Sequence, residues 1–404
     1  MATPCARAEH RARLKSMSHL RVRISIAFIL VPAALFWTAA HAQRADDNAA
    51  TAASDAFGTV VGNQTIGLYS ESNARGFSPM QAENVRIEGL YYDQQPLDSD
   101  PYLFSRTDMR VGITAQTYEF PSPSGIADLT LRTPGDTPLV STVLVHGPLE
   151  ETSAEIDAQY PLLLHSLSVG LIVAAAHDFD TQNAVTSTQR ALSLLFRLRP
   201  TSGIEVVPFV GYIRANERRE MPVVYLDDVH PPPIFDQQHL PTQSWTAWRW
   251  NELTAGMIAR VDIDRAWTIT AGLFHSMYEA PGRNFTDLAL GPMPNGIADH
   301  VVSVTPGFTD SSYSGDVRLT RTVLHGAHRR QVTVAMRSRY VHREFGGDAV
   351  ASLGPFSLYH GTAPPEPPLA FSALSIDRVR QTGFGINDIE EWNNRVWLRR
   401  HSRQ

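Results

Sequence analysis

The chain has 404 residues, of which 43% are hydrophobic and 19% charged, and it carries a formal net charge of −6. This composition excludes an intrinsically disordered chain, which would contain fewer apolar residues. It also excludes a polytopic helical membrane protein, because only one segment, near the N-terminus, is long and apolar enough for a membrane helix.

The first 42 residues have the pattern of a secretory signal peptide. Six basic residues precede an apolar run over 24–40, and Ala40-His41-Ala42 then supplies the small-x-small sequence that a signal peptidase requires. A single-pass anchor is the alternative, but Pro32 within the run and the polar stretch 43–47 after it disfavour an anchor. We therefore predict export, with 1–42 as signal peptide and 43–56 as a flexible N-terminal segment.

Removal of the signal peptide changes both charge and cysteine content. The mature chain of 362 residues keeps 29 basic and 40 acidic side chains, a net charge of −11, and it loses Cys5, the only cysteine. Such acidity argues against nucleic acid as a partner. An exported fold without disulfides must be stabilised by other means.

Beyond Pro134 the sequence alternates apolar and polar residues with a period of two, which predicts strands with one apolar face. In 154–160, for example, apolar side chains occupy the even positions, and Glu155 and Asp157 lie on the opposite face. We predict eleven strands, at about 138–147, 151–163, 166–178, 187–199, 204–216, 245–262, 266–279, 312–325, 331–343, 375–390 and 394–400.

The connections between these strands alternate in length. Short turns lie around 166, 200–203, 263–265, 326–329 and 392–394, whereas the longest connections, 217–244, 280–311 and 344–374, are rich in Pro and Gly. Outer-membrane barrels have short periplasmic turns and long extracellular loops, and their strands need roughly 9–11 residues to cross the bilayer. A secreted β-sandwich or propeller is the alternative, with strands of about 5–6 residues. We therefore predict an antiparallel transmembrane β-barrel over 137–404.

The N-terminal third resembles the plug domain of TonB-dependent outer-membrane receptors. The segments that carry the resemblance are Ile66-Gly67-Leu68-Tyr69, Asn73-Ala74-Arg75-Gly76-Phe77-Ser78 and Asn84-Val85-Arg86-Ile87-Glu88-Gly89-Leu90-Tyr91. The first step typical of such plugs is R-G-F, at Arg75, Gly76 and Phe77, and the second is E-G, at Glu88 and Gly89. The stretch 124–134 resembles the last plug strand, and 312–319 and 339–347 resemble barrel segments, so that the resemblance covers 57–400.

The resemblance implies an α+β plug domain, residues 57–136, inside a barrel of about 22 strands. It also implies a transporter in the outer membrane, in contact with its lipid, that takes up a scarce ligand such as an iron-siderophore. The implied partner is the TonB–ExbB–ExbD complex of the inner membrane, and no resident cofactor is implied. A passive porin-like channel and a secreted β-rich carbohydrate-binding or hydrolytic protein remain as alternatives.

Two features depart from this family. Residues 138–404 number 267, which is enough for about half of such a barrel, and a half barrel leaves two unpaired edges that hydrocarbon does not tolerate. We therefore expect either a truncated chain or a second polypeptide. In addition, 56–61 is only a poor match to the TonB box, the short segment through which these receptors contact TonB.

Two arginines of the plug segments are candidate site residues. Arg75 and Arg86 either face an anionic ligand or pair with plug carboxylates such as Glu83 and Glu88, and we favour the structural role. The candidate site residues are those of the two plug motifs: Arg75, Gly76, Phe77, Arg86, Glu88 and Gly89.

The sequence contains no motif of catalysis or of metal binding. It has no G-x-S-x-G, H-E-x-x-H, Walker or C-x-x-C motif, so we expect a protein that is not an enzyme. His230 and His239 share a predicted loop with Asp227, Asp228 and Asp236 and could contact a metal chelate. A solvated polar loop is the preferred interpretation.

Overall fold

The computed structural model describes residues 58–61, 64–67, 74, 76–95, 102–112, 114–122, 124–147, 151–180, 185–219, 222–226, 243, 245–360, 364–392 and 395–403. The predicted signal peptide, the segment 43–56, Arg75 and the loop histidines His230 and His239 lie outside these residues. Within the described part of the chain, no helix has the length and apolar character that a membrane crossing requires.

The first six strands form a small mixed sheet. They are β1 (Gly58–Val61), β2 (Gln64–Gly67), β3 (Val85–Ile87), β4 (Leu90–Tyr92), β5 (Phe104–Arg110) and β6 (Ile126–Leu131), in the order β2-β1-β5-β6-β3-β4. The pair β3–β6 is parallel and the other neighbours are antiparallel. Among the described residues, one short 3-10 helix, Thr114–Thr117, is the helical part of this unit.

Eleven longer strands form one antiparallel sheet, here called the wall. They are β7 (Leu139–His146), β8 (Thr152–Leu163), β9 (Leu167–Asp180), β10 (Val185–Thr201), β11 (Ile204–Arg219), β13 (Trp248–Asp262), β14 (Trp267–Ala280), β17 (Phe308–His325), β18 (His328–Phe345), β20 (Ser375–Trp392) and β21 (Arg395–Arg403). Each pairs with the next wall strand along the chain, so β7 and β21 are the two ends of the sheet. All eleven predicted strands are present, which confirms the mainly β class.

The connections between wall strands alternate as predicted. The strand ends that border the short connections 164–166, 202–203, 263–266, 326–327 and 393–394 lie at one end of the sheet, and those that border the connections 147–151, 181–184, 220–247, 281–307 and 346–374 lie at the other. Because successive strands are antiparallel, every short turn falls on the same end. This asymmetry is the one that outer-membrane barrels have.

The described parts of the three longest connections contain strands that the sequence analysis did not predict. Four strands, β12 (Val223–Tyr225), β15 (Asn284–Leu290), β16 (Ile297–Thr305) and β19 (Ala349–Ser357), form a third sheet in the order β12-β15-β16-β19. A small core of Ala289, Ala298, Phe356 and Leu358 supports this sheet. β15 and β16 form a local antiparallel hairpin within one connection, whereas β12 and β19 come from the other two connections and pair with this hairpin at its two edges.

The two faces of the wall differ in burial and chemistry. Glu155 and Asp157 of β8 are buried on the inner face, whereas Ile156 between them is 50% exposed on the outer face. The same reversal runs along the sheet: large apolar side chains exposed on the outer face include Leu171, Val210, Leu273, Val317, Val334 and Phe384. The apolar faces recognised in the sequence therefore point away from the protein.

One hydrophobic core joins the small sheet to the wall. It contains Ile87 and Leu90 of the small sheet together with Leu195 of β10, Phe209 of β11 and Phe274 of β14. Polar contacts extend the same interface to β8, β17 and β18. A flat sheet, with strands spaced about 4.8 Å apart, could not bring so many strands against one small unit. The wall therefore curves around the small sheet.

Candidate functional site

The contact between the small sheet and the inner face of the wall gathers most of the buried charged groups, and we treat it as the candidate site. The R-G-F step lies at its margin. Ala74 and Phe77 exchange two backbone hydrogen bonds, of 2.6 and 3.0 Å, around Gly76, which has a φ of +79°. This tight turn requires a left-handed residue, and it leaves the Phe77 ring 61% exposed.

Glu88 and Gly89 form the turn of the β3–β4 hairpin. Both have positive φ values, +51° and +76°, which matches the two-residue turns preferred in hairpins. The Glu88 carboxylate accepts a hydrogen bond of 2.9 Å from the Leu131 amide, and Asp128 accepts one of 2.8 Å from the Gly89 amide. Burial raises the pKa of the Glu88 carboxyl group. The E-G step thus fixes the hairpin to β6.

Arg86 is almost fully buried, at 1% exposure. Its guanidinium donates to the carbonyl oxygens of Val85, at 2.8 Å, and Phe120, at 3.2 Å, and lies over the Tyr91 ring. Burial lowers the pKa of Arg86 to about 10, and the neighbouring Arg337 acts in the same direction. The expected pairing of Arg86 with Glu83 or Glu88 is not the arrangement found, since these carboxylates contact other groups.

Arg337 extends the same aromatic cluster from the wall. Its guanidinium lies over Tyr91, at 4.9 Å from the ring centroid, and over Phe120, at 4.5 Å. Two arginines, one from each sheet, therefore use the face of one tyrosine ring. Such contacts are worth more when they are shielded from water, so this cluster fixes β3 and β4 against β18.

The segment 91–95 runs along β17 and β14 with alternating hydrogen bonds. The amides of Tyr91, Asp93 and Gln95 donate to Asp316 at 3.3 Å, to Ser314 at 2.8 Å and to Ser276 at 3.0 Å. In addition, the Ser312 hydroxyl donates to the Asp93 carbonyl oxygen. Amides two residues apart point the same way in an extended chain, and so do inward side chains two residues apart on β17. The two-residue spacing of the amides in 91–95 therefore matches the two-residue spacing of the inward side chains on β17.

Two wall arginines bind carboxylates in the connections of the small sheet. Arg318 lies 2.8 Å from Glu119 and also donates to the Gly89 carbonyl oxygen at 2.6 Å. Arg339 pairs with Glu83 and lies 3.6 Å from Asp93. Burial raises the pKa of Asp93 to about 6, against the lowering effect of Arg339.

Sequence reasoning missed the contribution of Asp93, Arg318 and Arg339 to this interface. A signal was present, because Ser312, Ser314 and Asp316 occupy the polar face of a predicted strand at the spacing of an extended partner. The partner itself could not be read, since it lies more than 200 residues away in the chain. Among the described residues, no group of three or more His, Cys, Asp and Glu side chains could hold a metal ion.

No family model matches the chain, and no curated protein sequence is similar to it. Solved structures are similar. BauA, the ferric preacinetobactin receptor from Acinetobacter baumannii, is 13% identical with a TM-score of 0.61, over 77% of this chain and 47% of that one. For the pyoverdine outer membrane receptor FpvA from Pseudomonas aeruginosa, the identity is 15% and the TM-score 0.64, over 78% of this chain and 48% of that one.

The ferric-catecholate import receptor Fiu from E. coli K12 is 12% identical with a TM-score of 0.60, over 76% of this chain and 50% of that one. The chain has the fold of these siderophore receptors. It spans about half the length of the solved receptors that it matches. The fold class predicted from the sequence, a plug followed by an antiparallel barrel sheet, is confirmed.

Proposed function

We propose that the chain acts in an outer-membrane receptor that takes up a scarce ligand by coupling to the TonB–ExbB–ExbD complex. The observation that carries this proposal is the placement of the small sheet: it packs on the concave polar face of the wall, whose opposite face is apolar and exposed. A closed sheet is the form in which strands can span a bilayer, with apolar side chains toward lipid. Residues 1–42 then serve export to that membrane.

In this proposal residues 57–136 are the plug and 137–404 belong to the barrel. Energy coupling requires a plug that is fixed at rest and can be shifted. Ion pairs such as Arg318–Glu119 and the hydrogen bonds of Asp93 suit this role, because water can replace each of them once the plug moves.

A ferric siderophore is the ligand class that we propose. The support is the fold, which is shared with receptors described as binding ferric preacinetobactin, pyoverdine and ferric catecholates. The passive channel is disfavoured, because the small sheet packs on the inner face of the wall and so occupies the space in which solutes would diffuse. The secreted carbohydrate-binding protein is disfavoured by the exposed apolar side chains, which water would not tolerate over so many strands. We propose no catalytic role.

Uptake of ⁵⁵Fe tests this proposal in cells that produce the chain. Hydroxamate, catecholate and mixed-ligand siderophores are supplied in turn, and we expect uptake of at least one in energised cells and none in TonB-deficient cells. Membrane fractionation should recover the chain in the outer membrane, and planar bilayers should show essentially no conductance. A soluble periplasmic chain, or an open pore, would contradict the proposal.

A reversible cross-link tests whether the small sheet must move. The mature chain has no cysteine, so Asp93→Cys with Ser314→Cys introduces one cysteine on each side of the plug–wall contact, where the Asp93 backbone amide donates to Ser314. We expect a disulfide between these cysteines to abolish uptake and reduction to restore it. The matched control joins two wall strands through Ser338→Cys and Thr382→Cys, whose hydroxyls lie 3.1 Å apart, and should leave uptake unchanged.

A further inference from the structure

A cavity of about 590 Å³ lies on the outer face of the wall and extends from β13 to β20. Its floor is made of residues with small side chains. Gly315 on β17 and Ser338 on β18 are register partners, and Thr382 on β20 continues the row. A volume of this size lies within the range of ligand pockets, about 300–1,000 Å³.

Rows of large side chains frame this floor on both sides. Tyr313 and Tyr340 are register partners in the row nearer to the long connections, and Val317 and Met336 are partners in the row nearer to the short turns. All four side chains are exposed, by 44% to 54%. A groove therefore lies between two exposed apolar rows, with no described residue of this chain covering them.

Arg380 stands at one side of the groove. It is the register partner of Tyr340, it lines the cavity and its side chain is exposed. It forms no ion pair with any described residue. On the same face of β20, Arg378 is also exposed, and it donates to a ring nitrogen of His342 at 3.5 Å. Two cations thus border an otherwise apolar surface.

The position of Arg380 along its strand sets its depth. β20 has 18 residues, more than the roughly 9–11 that cross a bilayer, and Arg380 is the sixth residue from the long-connection end. Tyr313 and Tyr340 lie in the same row, as an aromatic girdle does at the membrane surface. Arg380 therefore lies at headgroup level in the leaflet that faces the outside. An anionic partner stabilises a guanidinium at that level. A phosphate group is such a partner, and it can accept two parallel N–H hydrogen bonds from the guanidinium.

We propose that this groove binds an anionic, phosphorylated lipid of the outer leaflet, with an acyl chain on the floor formed by Gly315 and Ser338 and a phosphate on Arg380. The charge of Arg380 selects the anionic headgroup, and the small-residue floor between two apolar rows accommodates the acyl chain. The site rests on the proposed function only in that the wall must lie in the outer membrane. It does not depend on which ligand is transported.

Native mass spectrometry of the full chain tests the site. The protein is purified from outer membranes in detergent, stripped of lipid and mixed with diphosphorylated lipid A or with zwitterionic phosphatidylcholine. We expect one retained lipid A and no retained phosphatidylcholine. Arg380→Gln should reduce retention of lipid A at least fivefold, and Arg380→Lys should reduce it less. Ser338→Leu, which fills the floor, should also reduce it at least fivefold.

Arg321→Gln is the matched control, since Arg321 is exposed on the outer face near the short turns and lies over the Trp267 ring.

The outcomes separate this site from the proposed function. Equal retention of lipid A by the parent chain and Arg380→Gln would overturn the site, and so would equal retention of phosphatidylcholine. A lipid-free dimer would make a second copy the occupant and would also overturn it. Fractionation is measured first: a chain absent from the outer membrane defeats the proposed function, whereas an inserted chain without lipid selectivity defeats the site alone.

Discussion

Arg318 of β17 and Glu119, in the connection between β5 and β6, face each other across the interface, with their charged groups 2.8 Å apart and each side chain 14% exposed. The same guanidinium contacts Asp316 at 2.8 Å and the Gly89 carbonyl oxygen. One wall side chain therefore neutralises a carboxylate on each side of the interface and also holds the turn of the β3–β4 hairpin.

Replacement of Arg318 should destabilise the fold strongly. Arg318→Gln leaves Asp316 and Glu119 buried without their cation, and removal of one partner of a buried ion pair costs about 3–5 kcal/mol. We expect the free energy of unfolding, measured by denaturant titration in detergent, to fall by that order. Arg329→Gln is the control, because Arg329 and Glu391 are exposed and such a pair is worth about 0–1 kcal/mol. Equal effects of the two substitutions would contradict the assigned role.

Asp93 should make stability depend on pH. Burial raises the pKa of Asp93 from 3.8 to about 6, so the folded state retains a proton that the unfolded state has lost. The contribution of the neutral carboxyl group is complete below pH 3.8 and is lost as the pH rises through 6. At 1.36 kcal/mol per pKa unit, the loss is about 3 kcal/mol in order of magnitude.

Asp93→Asn tests this dependence, because it removes the titrating group. We expect the free energy of unfolding to fall less steeply between pH 4 and pH 7 in this variant than in the parent chain. Asp348→Asn, at an exposed position between β18 and β19, should keep the parent profile. A steeper fall in Asp93→Asn would show that the sign is wrong.

The hydrogen bond from the Asp93 amide to Ser314 should protect that amide from exchange. Ser314→Ala leaves a buried donor without its acceptor, which costs about 1–3 kcal/mol. By hydrogen exchange, we expect faster exchange at positions 91–95, with little change in β10. Ser338→Ala is matched, since Ser338 donates to the Gln381 carbonyl oxygen on the other side of the wall. If the Asp93 amide exchanged at the same rate in Ser314→Ala as in the parent chain, the assigned contact between residues 91–95 and the wall would be contradicted.

The outer face should reject charge according to depth. Val334 is 51% exposed, and its row lies three rows further from the long connections than the Tyr313 row. If lipid covers this face, Val334→Arg costs about 2–4 kcal/mol near the midplane. We expect a lower temperature of unfolding in heat-modifiability gels. Val323→Arg, on the same face but close to the short turn, should have little effect. Equal tolerance of both substitutions would indicate that water covers this face.

The sequence by itself determined the wall. Side chains alternate along any strand, and a surface that is apolar on one side and polar on the other must repeat with a period of two. All eleven strands therefore followed from local pattern, with ends within four residues of those found. The short turns followed as well, because a tight hairpin needs only neighbouring residues.

The tertiary structure alone decided what the inner face contacts and how the long connections fold. The bond between Asp93 and Ser314 joins residues 221 positions apart, and the β16–β19 pair joins two separate connections. Arg86 turned toward carbonyl oxygens rather than carboxylates because burial placed Phe120 within its reach. A local pattern fixes which way a side chain points, but its partner depends on how distant segments pack.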